Sequence, residues 1–442
     1  MMLAAESPPA VFASTEEPSA PYPGSLKVLV ETVLVEEVVV PEDYPPDGGP
    51  RAWLVVFGVT CSMCGMIGIL TSWGTWQAYY QEDVLRNQSS SNIAWIGSVQ
   101  SAMGYAPGLI VGRWFDMGYL KLPVFASSVL FVGCMFLTAE CTQYWQFLLC
   151  QGFGIGIAGG VFYSVGSMVL THWFKRRLGL ALAIAYGGTS VGGCIFPIVA
   201  KALLQRTSFP WTMRILGFIT LGFVALTNIT VARRLPGTQD LGPAINVAEF
   251  KKPAYSFYVA SLVINNLALM TVLTYITVSA VGAGVDVSLS YDLVAIVNAM
   301  SAFGQLGGGL LADRYDPLNV LIGATLMTAV VTYAWPFATN VATFVVVAVF
   351  TGISTGGYYS AMIQPFERMG RLEDVGLRIG MAFTLITAGV VAGPPLSGAI
   401  FDATGSYKNV GYCGGSMLLV SAALMVVARQ FMVRTKGVCG TP

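Results

Sequence analysis

Twelve apolar stretches, each long enough to cross a bilayer as a helix, constrain this chain more than anything else in it. They run over 52–77, 92–112, 121–139, 145–170, 178–200, 212–232, 255–281, 290–312, 318–338, 342–363, 377–400 and 410–433. About 20 apolar residues in a helix match the hydrocarbon thickness of a membrane. Lipid offers the backbone no hydrogen bonds, so a spanning segment must satisfy its own. No stretch shows the strict alternation of a membrane strand. The expected class is an all-α membrane protein. Composition agrees, since 55% of the 442 residues are hydrophobic and 10% are charged, whereas soluble chains are about a quarter charged.

The basic residues set an expected orientation. With the N-terminus inside, the inner set is Lys27, Arg51, Arg113, Lys121, Lys175, Arg176, Arg177, Arg233, Arg234, Lys251, Lys252, Arg314, Arg368, Arg371, Arg378, Arg429, Arg434 and Lys436. The outer set is Arg86, Lys201, Arg206, Arg214 and Lys408. That distribution, 18 against 5, follows the rule that cytoplasmic loops carry the Lys and Arg excess. An even helix number then puts both termini in the cytoplasm, and the plasma membrane is the expected location. Asn87-Gln88-Ser89 falls in the first outer loop and matches a glycosylation acceptor.

Residues 1–50 differ in kind: they are rich in Pro and Glu and lack a basic start before an apolar core. They read as a disordered cytoplasmic tail rather than a signal peptide. Lys plus Arg balance Asp plus Glu at 23 each, so no basic excess points to nucleic acid. The eight cysteines have no scaffold spacing. Cys61 and Cys64 lie three apart in an apolar helix without further ligands nearby, so buried thiols are expected and no metal.

The two halves of the chain repeat each other. Gly112, at the end of the second stretch, is followed four residues later by Asp116, and Gly309, near the end of the eighth, by Asp313, at an offset of 197. Gly179, Ala181, Gly188 and Gly192 match Gly380, Ala382, Gly389 and Gly393 at an offset of 201. Two matches at nearly one offset, between equivalent helices, point to duplication, a common plan of secondary transporters. The expected organisation is a tail over 1–50, a six-helix half over 51–235, a cytoplasmic linker over 236–254, a second half over 255–436 and a short cytoplasmic tail over 437–442. Gly104, Gly108 and Gly112 share one helix face, as do Gly152, Gly156 and Gly160. Such stripes let backbones approach closely in lipid. Static packing and sliding contact both fit them.

Several motifs carry a family resemblance. They are Asp47-Gly48-Gly49-Pro50-Arg51-Ala52-Trp53, Gly74-Thr75-Trp76-Gln77-Ala78-Tyr79-Tyr80, Trp173-Phe174-Lys175-Arg176-Arg177, Arg378-Ile379-Gly380-Met381-Ala382 and Gly393-Pro394-Pro395-Leu396-Ser397-Gly398. Over roughly 45–435 the chain resembles the major facilitator superfamily, and within it the fungal monocarboxylate-transporter-like branch. The resemblance implies twelve helices in two pseudo-symmetric six-helix halves. It also implies a central cavity lined by the first, second, fourth, fifth, seventh, eighth, tenth and eleventh helices. In that superfamily the loop aspartate bonds to neighbouring helices and holds one conformation closed. Carried over, the latch residues are Gly112, Asp116, Gly309, Asp313 and Arg314. Met117 stands where a basic residue is usual, so the first latch is expected to be the weaker.

Ionisable groups deep in a membrane are costly and usually functional, and this chain has almost none. Glu140, Arg214, Asp286 and Asp292 lie near helix ends, and the only histidine, His172, reads as a solvated helix end. The substrate-binding candidates are therefore neutral. Asn265 and Asn266 sit midway along the seventh helix. Asn298, Ser301 and Gln305 form one row on the eighth, and Gln77 lies near the outer end of the first. Gln100 and Gln151 are lesser candidates. An interhelical role without a ligand fits the same residues. The branch commonly carries Phe-Gly-Arg in the eighth helix, and here the stretch reads Phe303-Gly304-Gln305. A carboxylate would lose its bidentate partner, which leaves room for a neutral metabolite or for an anchor such as Arg214.

The expected function is alternating-access transport of a small organic solute, a monocarboxylate or related metabolite by resemblance, with a proton as a conceivable co-substrate. No Gly-Lys-Ser/Thr nucleotide loop occurs, and no catalytic residue or cofactor is expected. Membrane lipid and the solute are the expected partners, and a monomer the expected working unit. Alternatives are an exporter of secondary metabolites, a nutrient sensor that barely transports, and a membrane enzyme. The short tails speak against the sensor and the lone histidine against the enzyme.

Overall fold

A computed structural model describes residues 45–237 and 245–438, with only the backbone given for Ser90, Met270, Val287, Ser288, Tyr291 and 435–438. The expected tail up to residue 44, the middle of the expected linker and the last four residues lie outside the described residues.

The described chain is helical throughout. The helices are α1 (Pro50–Val84), α2 (Ser90–Met103 and Gly108–Asp116), α3 (Lys121–Thr138), α4 (Tyr144–His172), α5 (Leu178–Leu204) and α6 (Phe209–Thr230). After the linker come α7 (Pro253–Gly282), α8 (Val287–Arg314), α9 (Pro317–Phe337), α10 (Val341–Arg368), α11 (Leu372–Thr404) and α12 (Tyr407–Val438). Among the described residues, eleven helices are long and apolar enough to span a membrane. The one left out is α2, expected as a continuous helix over 92–112. It breaks between Met103 and Gly108 because Pro107 has no N–H for the Met103 carbonyl and its ring crowds the preceding turn.

Two helix pairs carry most of the contact between the halves: α2 against α11, and α5 against α8. Within the halves α1 packs on α5 and α6, and α7 packs on α11 and α12. The outer helices show apolar side chains outward, among them Leu122, Phe125 and Val129 on α3, Ile229 on α6 and Val330 on α9. A face of that kind fits lipid; in water it would be an aggregation surface.

The sequence repeat has a structural meaning. A methyl group added at Gly188 or Gly192 would run into the Thr60 or Cys64 carbonyl of α1. One added at Gly389 or Gly393 would run into the Val263 or Leu267 carbonyl of α7. The glycines matched at an offset of 201 therefore do the same job, setting the α1–α5 and the α7–α11 backbones in contact.

One boundary moves. Residues 45–50, expected as the end of the tail, are held against the α4–α5 turn, where the Asp47 N–H donates to the Trp173 carbonyl at 3.2 Å. The end of the bundle that carries this contact, with the α2–α3, α8–α9 and α10–α11 turns, is its near end.

Gly393→Ala should cost about 1–3 kcal/mol through overpacking. Gly222→Ala, with nothing within 4 Å of the added carbon, should be neutral or slightly stabilising. Thermal unfolding of the purified protein in detergent separates the two.

Candidate functional site

At the near end two carboxylates bond across the halves. Asp116, fully buried, accepts from the Gly376 N–H at 3.0 Å and the Leu377 N–H at 2.6 Å. Asp313 accepts from the Gly179 N–H at 2.6 Å and the Leu180 N–H at 2.8 Å. The first N–H groups of a helix have no partner within it and carry partial positive charge. A carboxylate there makes charge-assisted bonds, the stronger kind. Gly112 and Gly309 sit one turn before these aspartates, and a side chain at either would strike the Gly376 or the Gly179 carbonyl.

The first latch, expected to be weaker, makes the same pair of bonds as the second. A cation does reach it, from just past the end of α6 rather than from position 117. Arg233 Nη2 donates to the Asp116 carbonyl at 3.3 Å and the Pro236 carbonyl at 3.0 Å, and its guanidinium lies 5.0 Å from the Phe115 ring centre. Burial pulls the Arg233 guanidinium below its ordinary value, and the Asp116 carboxylate opposes that pull. Arg314, the residue expected to help Asp313, instead lies over the Tyr315 ring at 5.9 Å.

His172 is not a solvated helix end. It is fully buried, 4.8 Å from the Phe115 ring centre, and neither ring nitrogen has a hydrogen-bond partner among the described residues. The last turn of α4 tucks beneath the near end of α2 and carries the ring with it.

Deeper in, aromatic side chains from both halves meet. Tyr105, in the break of α2, lies 5.4 Å from Tyr163 of α4 and 5.7 Å from Phe383 of α11, centre to centre. Tyr163 is 5.3 Å from Phe383 and 5.5 Å from Tyr186 of α5, whose hydroxyl is 2.6 Å from Ser167 Oγ. Tyr163 stands nine residues before His172, roughly 13 Å along the helix from the near end. In the helices that build this cluster, Asp, Glu, Lys, Arg and His occur only near the ends.

The α8 row lies at and beyond the same depth, and it meets α5. Ser301 Oγ is 2.6 Å from Ser190 Oγ, Ser190 Oγ donates to Gln305 Oε1 at 3.4 Å, and Asn298 Nδ2 donates to the Gly193 carbonyl at 3.5 Å. Gln305 is buried while Ser301 and Asn298 are half-buried, so the row opens away from the near end.

The two α7 asparagines part company. Asn265 faces outward from the centre, donating to Thr325 Oγ1 of α9 at 3.2 Å. Asn266 faces α10 and donates to the Tyr358 hydroxyl at 3.4 Å. Both are fully buried, and neither Oδ1 has a partner among the described residues. Gln77 accepts from Trp73 Nε1 at 2.8 Å on its own helix. Arg214, weighed as an anion anchor, pairs with Glu140 and lies 5.2 Å from the Trp211 ring centre, so it is engaged on the flank of one half. Asn87 is exposed in the α1–α2 turn, and the Ser89 hydroxyl of the same tripeptide caps α2.

The aromatic cluster, Ser190 and Arg233 were not among the sequence candidates. One signal for the cluster stood in the sequence. Tyrosine in membrane helices is enriched at the interfaces, and Tyr105, Tyr163 and Tyr186 stand well inside theirs.

Asp313→Asn should open the near end along α5. A bond to a charged group contributes about 1.5–3 kcal/mol. Thiol labelling of Ala183→Cys, which faces Gly309, should therefore rise roughly tenfold, while labelling of the equally buried Ala185→Cys stays unchanged. The check is labelling kinetics in a cysteine-free background.

Comparison with known proteins agrees with this architecture. The sequence model of the Major Facilitator Superfamily matches residues 55–315 and 283–436. The MFS transporter asaE of Aspergillus flavus is 33% identical over 391 residues, covering 88% of this chain and 88% of that protein. The aspyridones efflux protein apdF of Emericella nidulans is 30% identical, covering 91% and 83%. The riboflavin transporter MCH5 of Saccharomyces cerevisiae is 29% identical, covering 89% and 81%. FucP, the E. coli fucose:proton symporter, has the same fold in its outward conformation, with a TM-score of 0.63 at 14% identity over 85% of this chain and 99% of that one. This chain belongs to the major facilitator superfamily and is a transporter of that family.

Proposed function

We propose that this transporter exports an uncharged, planar organic metabolite across the plasma membrane by alternating access, with its near end and both termini in the cytoplasm. The observation that carries the substrate class is the meeting of Tyr105, Tyr163, Tyr186 and Phe383 from both halves at a depth without charged side chains. Aromatic faces bind flat apolar groups through area and through stacking. Asn266 Oδ1, buried without a partner, would gain a bond from a cargo N–H or O–H, since an unmet buried acceptor is costly. Ser301 and Asn298 supply further neutral polar groups on the open side. Export is supported by the relative described as an efflux protein. Riboflavin, the compound in another relative's description, is itself a flat fused-ring molecule. The orientation rests on the 18 basic residues assigned to the inner side, and it leaves Asn87 outside as a candidate glycan acceptor.

A short monocarboxylate is the second reading, favoured by the family motifs. It would have to bind beside Gln305 without a cation, because Arg214 is paired with Glu140. A co-transported proton belongs to the same question.

Flux into inside-out vesicles tests these readings, with riboflavin, a 2-pyridone and lactate offered with and without a pH gradient. Saturable uptake of a flat heterocycle is expected. Tyr163→Ala should weaken it several-fold, because a stacking pair contributes about 0.5–1.5 kcal/mol. Saturable lactate flux with none of either heterocycle would reverse the choice.

A further inference from the structure

The segment before α1 holds the turn that presents α5 to the other half. Asp47 Oδ1 accepts from three successive backbone N–H groups: Lys175 at 2.6 Å, Arg176 at 2.6 Å and Arg177 at 3.3 Å. Consecutive N–H groups turned toward one oxygen form an anion nest. Among the described residues Asp47 is the one non-glycine with positive φ, at 53°. A side-chain-bearing residue in that region is strained, and it persists only where its surroundings over-determine it. The three bonds, with the Trp53 ring set edge-on to Phe174 at 5.2 Å, supply that hold.

The nest lies immediately before the latch. Arg177 is followed by Leu178 and then by Gly179 and Leu180, whose N–H groups bind Asp313 of the other half. The other half meets the same need with opposite chemistry. Its α10–α11 turn is held by Arg378, the counterpart of Arg177 at an offset of 201. Arg378 is almost fully buried and donates to the Phe366 carbonyl at 3.3 Å and to the Arg371 carbonyl. The Tyr255 hydroxyl in turn donates to the Arg378 carbonyl at 2.8 Å. One half gathers N–H groups on an anion, the other gathers carbonyls on a cation. In both, the helix N-terminus that follows docks on an aspartate across the interface.

We infer that Asp47 is a positioning residue of the transport cycle: it fixes the α4–α5 turn so that the Gly179 and Leu180 amides meet Asp313, and through it the segment before α1 sets how firmly the near end closes. Asp47 acts through Asp313 and does not touch the aromatic centre. The inference uses the transporter reading only for its flux arm; its distance arm needs no substrate.

The test uses the full chain in lipid nanodiscs, with native cysteines replaced and spin labels at Tyr119→Cys and Tyr315→Cys. Both sites are exposed, on the α2–α3 and α8–α9 turns. Pulsed dipolar spectroscopy reads the distance between the two turns. Asp47→Ala should shift the ratio of short to long distances roughly tenfold toward long, the scale of losing a bond to a charged group. Asp47→Asn, which keeps an acceptor oxygen but no charge, should fall between Ala and the native residue. Asp47→Ala should add little to Asp313→Asn but should add fully to Asp116→Asn, because only the first pair shares a path. In flux assays the maximal rate should change while KM holds. An unchanged distance distribution in folded, monodisperse Asp47→Ala protein overturns the inference. Equal additivity with both aspartate variants also overturns it, since that result marks a general structural role. If Asp47→Ala does not fold, Asp47→Asn carries the same comparison. A distance shift without flux of any tested compound sinks the cargo proposal and leaves this inference standing.

Discussion

A helix that begins inside a membrane protein leaves its first N–H groups without partners, and at α5 and α11 these groups face the opposite half. Asp116 is fully buried there, and an unmet buried donor is expensive. Asp116 and Asp313 meet the need from across the interface. The glycines one turn earlier let the backbones come close enough for the bonds to form. The closed near end follows from that arrangement, and so does the placing of Arg233, Asp47 and Arg378, which support the latches from behind. On the proposed alternating-access cycle, the same bonds are the ones that must break when access changes sides.

The centre is organised on other terms. Rings from α2, α4, α5 and α11 meet where the halves meet, and hydroxyl and amide groups of α5 and α8 continue toward the far end. Without charge at that depth, binding energy comes from area, stacking and neutral hydrogen bonds. Such a site suits flat, weakly polar molecules. As the proposed cargo site it would tie binding to conformation, because Tyr105 and Tyr163 belong to one half and Phe383 to the other. A molecule lying among them touches both moving parts.

Much of the fold was legible in the sequence for physical reasons. Apolar runs matched to bilayer thickness located the helices. Gly188, Gly192, Gly389 and Gly393 gave the repeat because the same backbone contact recurs in each half. The break in α2 was missed although Pro107 stood in plain view, since apolar content alone carried the stretch through it. The latch aspartates could be named, but not their partners. Those are backbone amides more than 130 positions away, and an amide leaves no trace in residue identity. Asn265 and Asn266 looked equivalent, yet one helical step turns one toward α9 and the other toward the centre. The aromatic cluster was hidden because ring side chains in apolar helices resemble ordinary packing. The burial of His172 is not legible because residue order fixes its distance from the helix end and not what covers that end.

The central claim is that two cross-half latches hold the near end and release together as cargo moves. Hydrogen exchange at the amides of Gly179, Leu180, Gly376 and Leu377, in nanodiscs with and without a transported compound, tests it most directly. All four should be protected at rest, and all four should lose protection together, by a similar factor, when saturating cargo drives the cycle. Loss at one pair while the other stays protected, or no change at either under conditions of measured flux, would contradict the account.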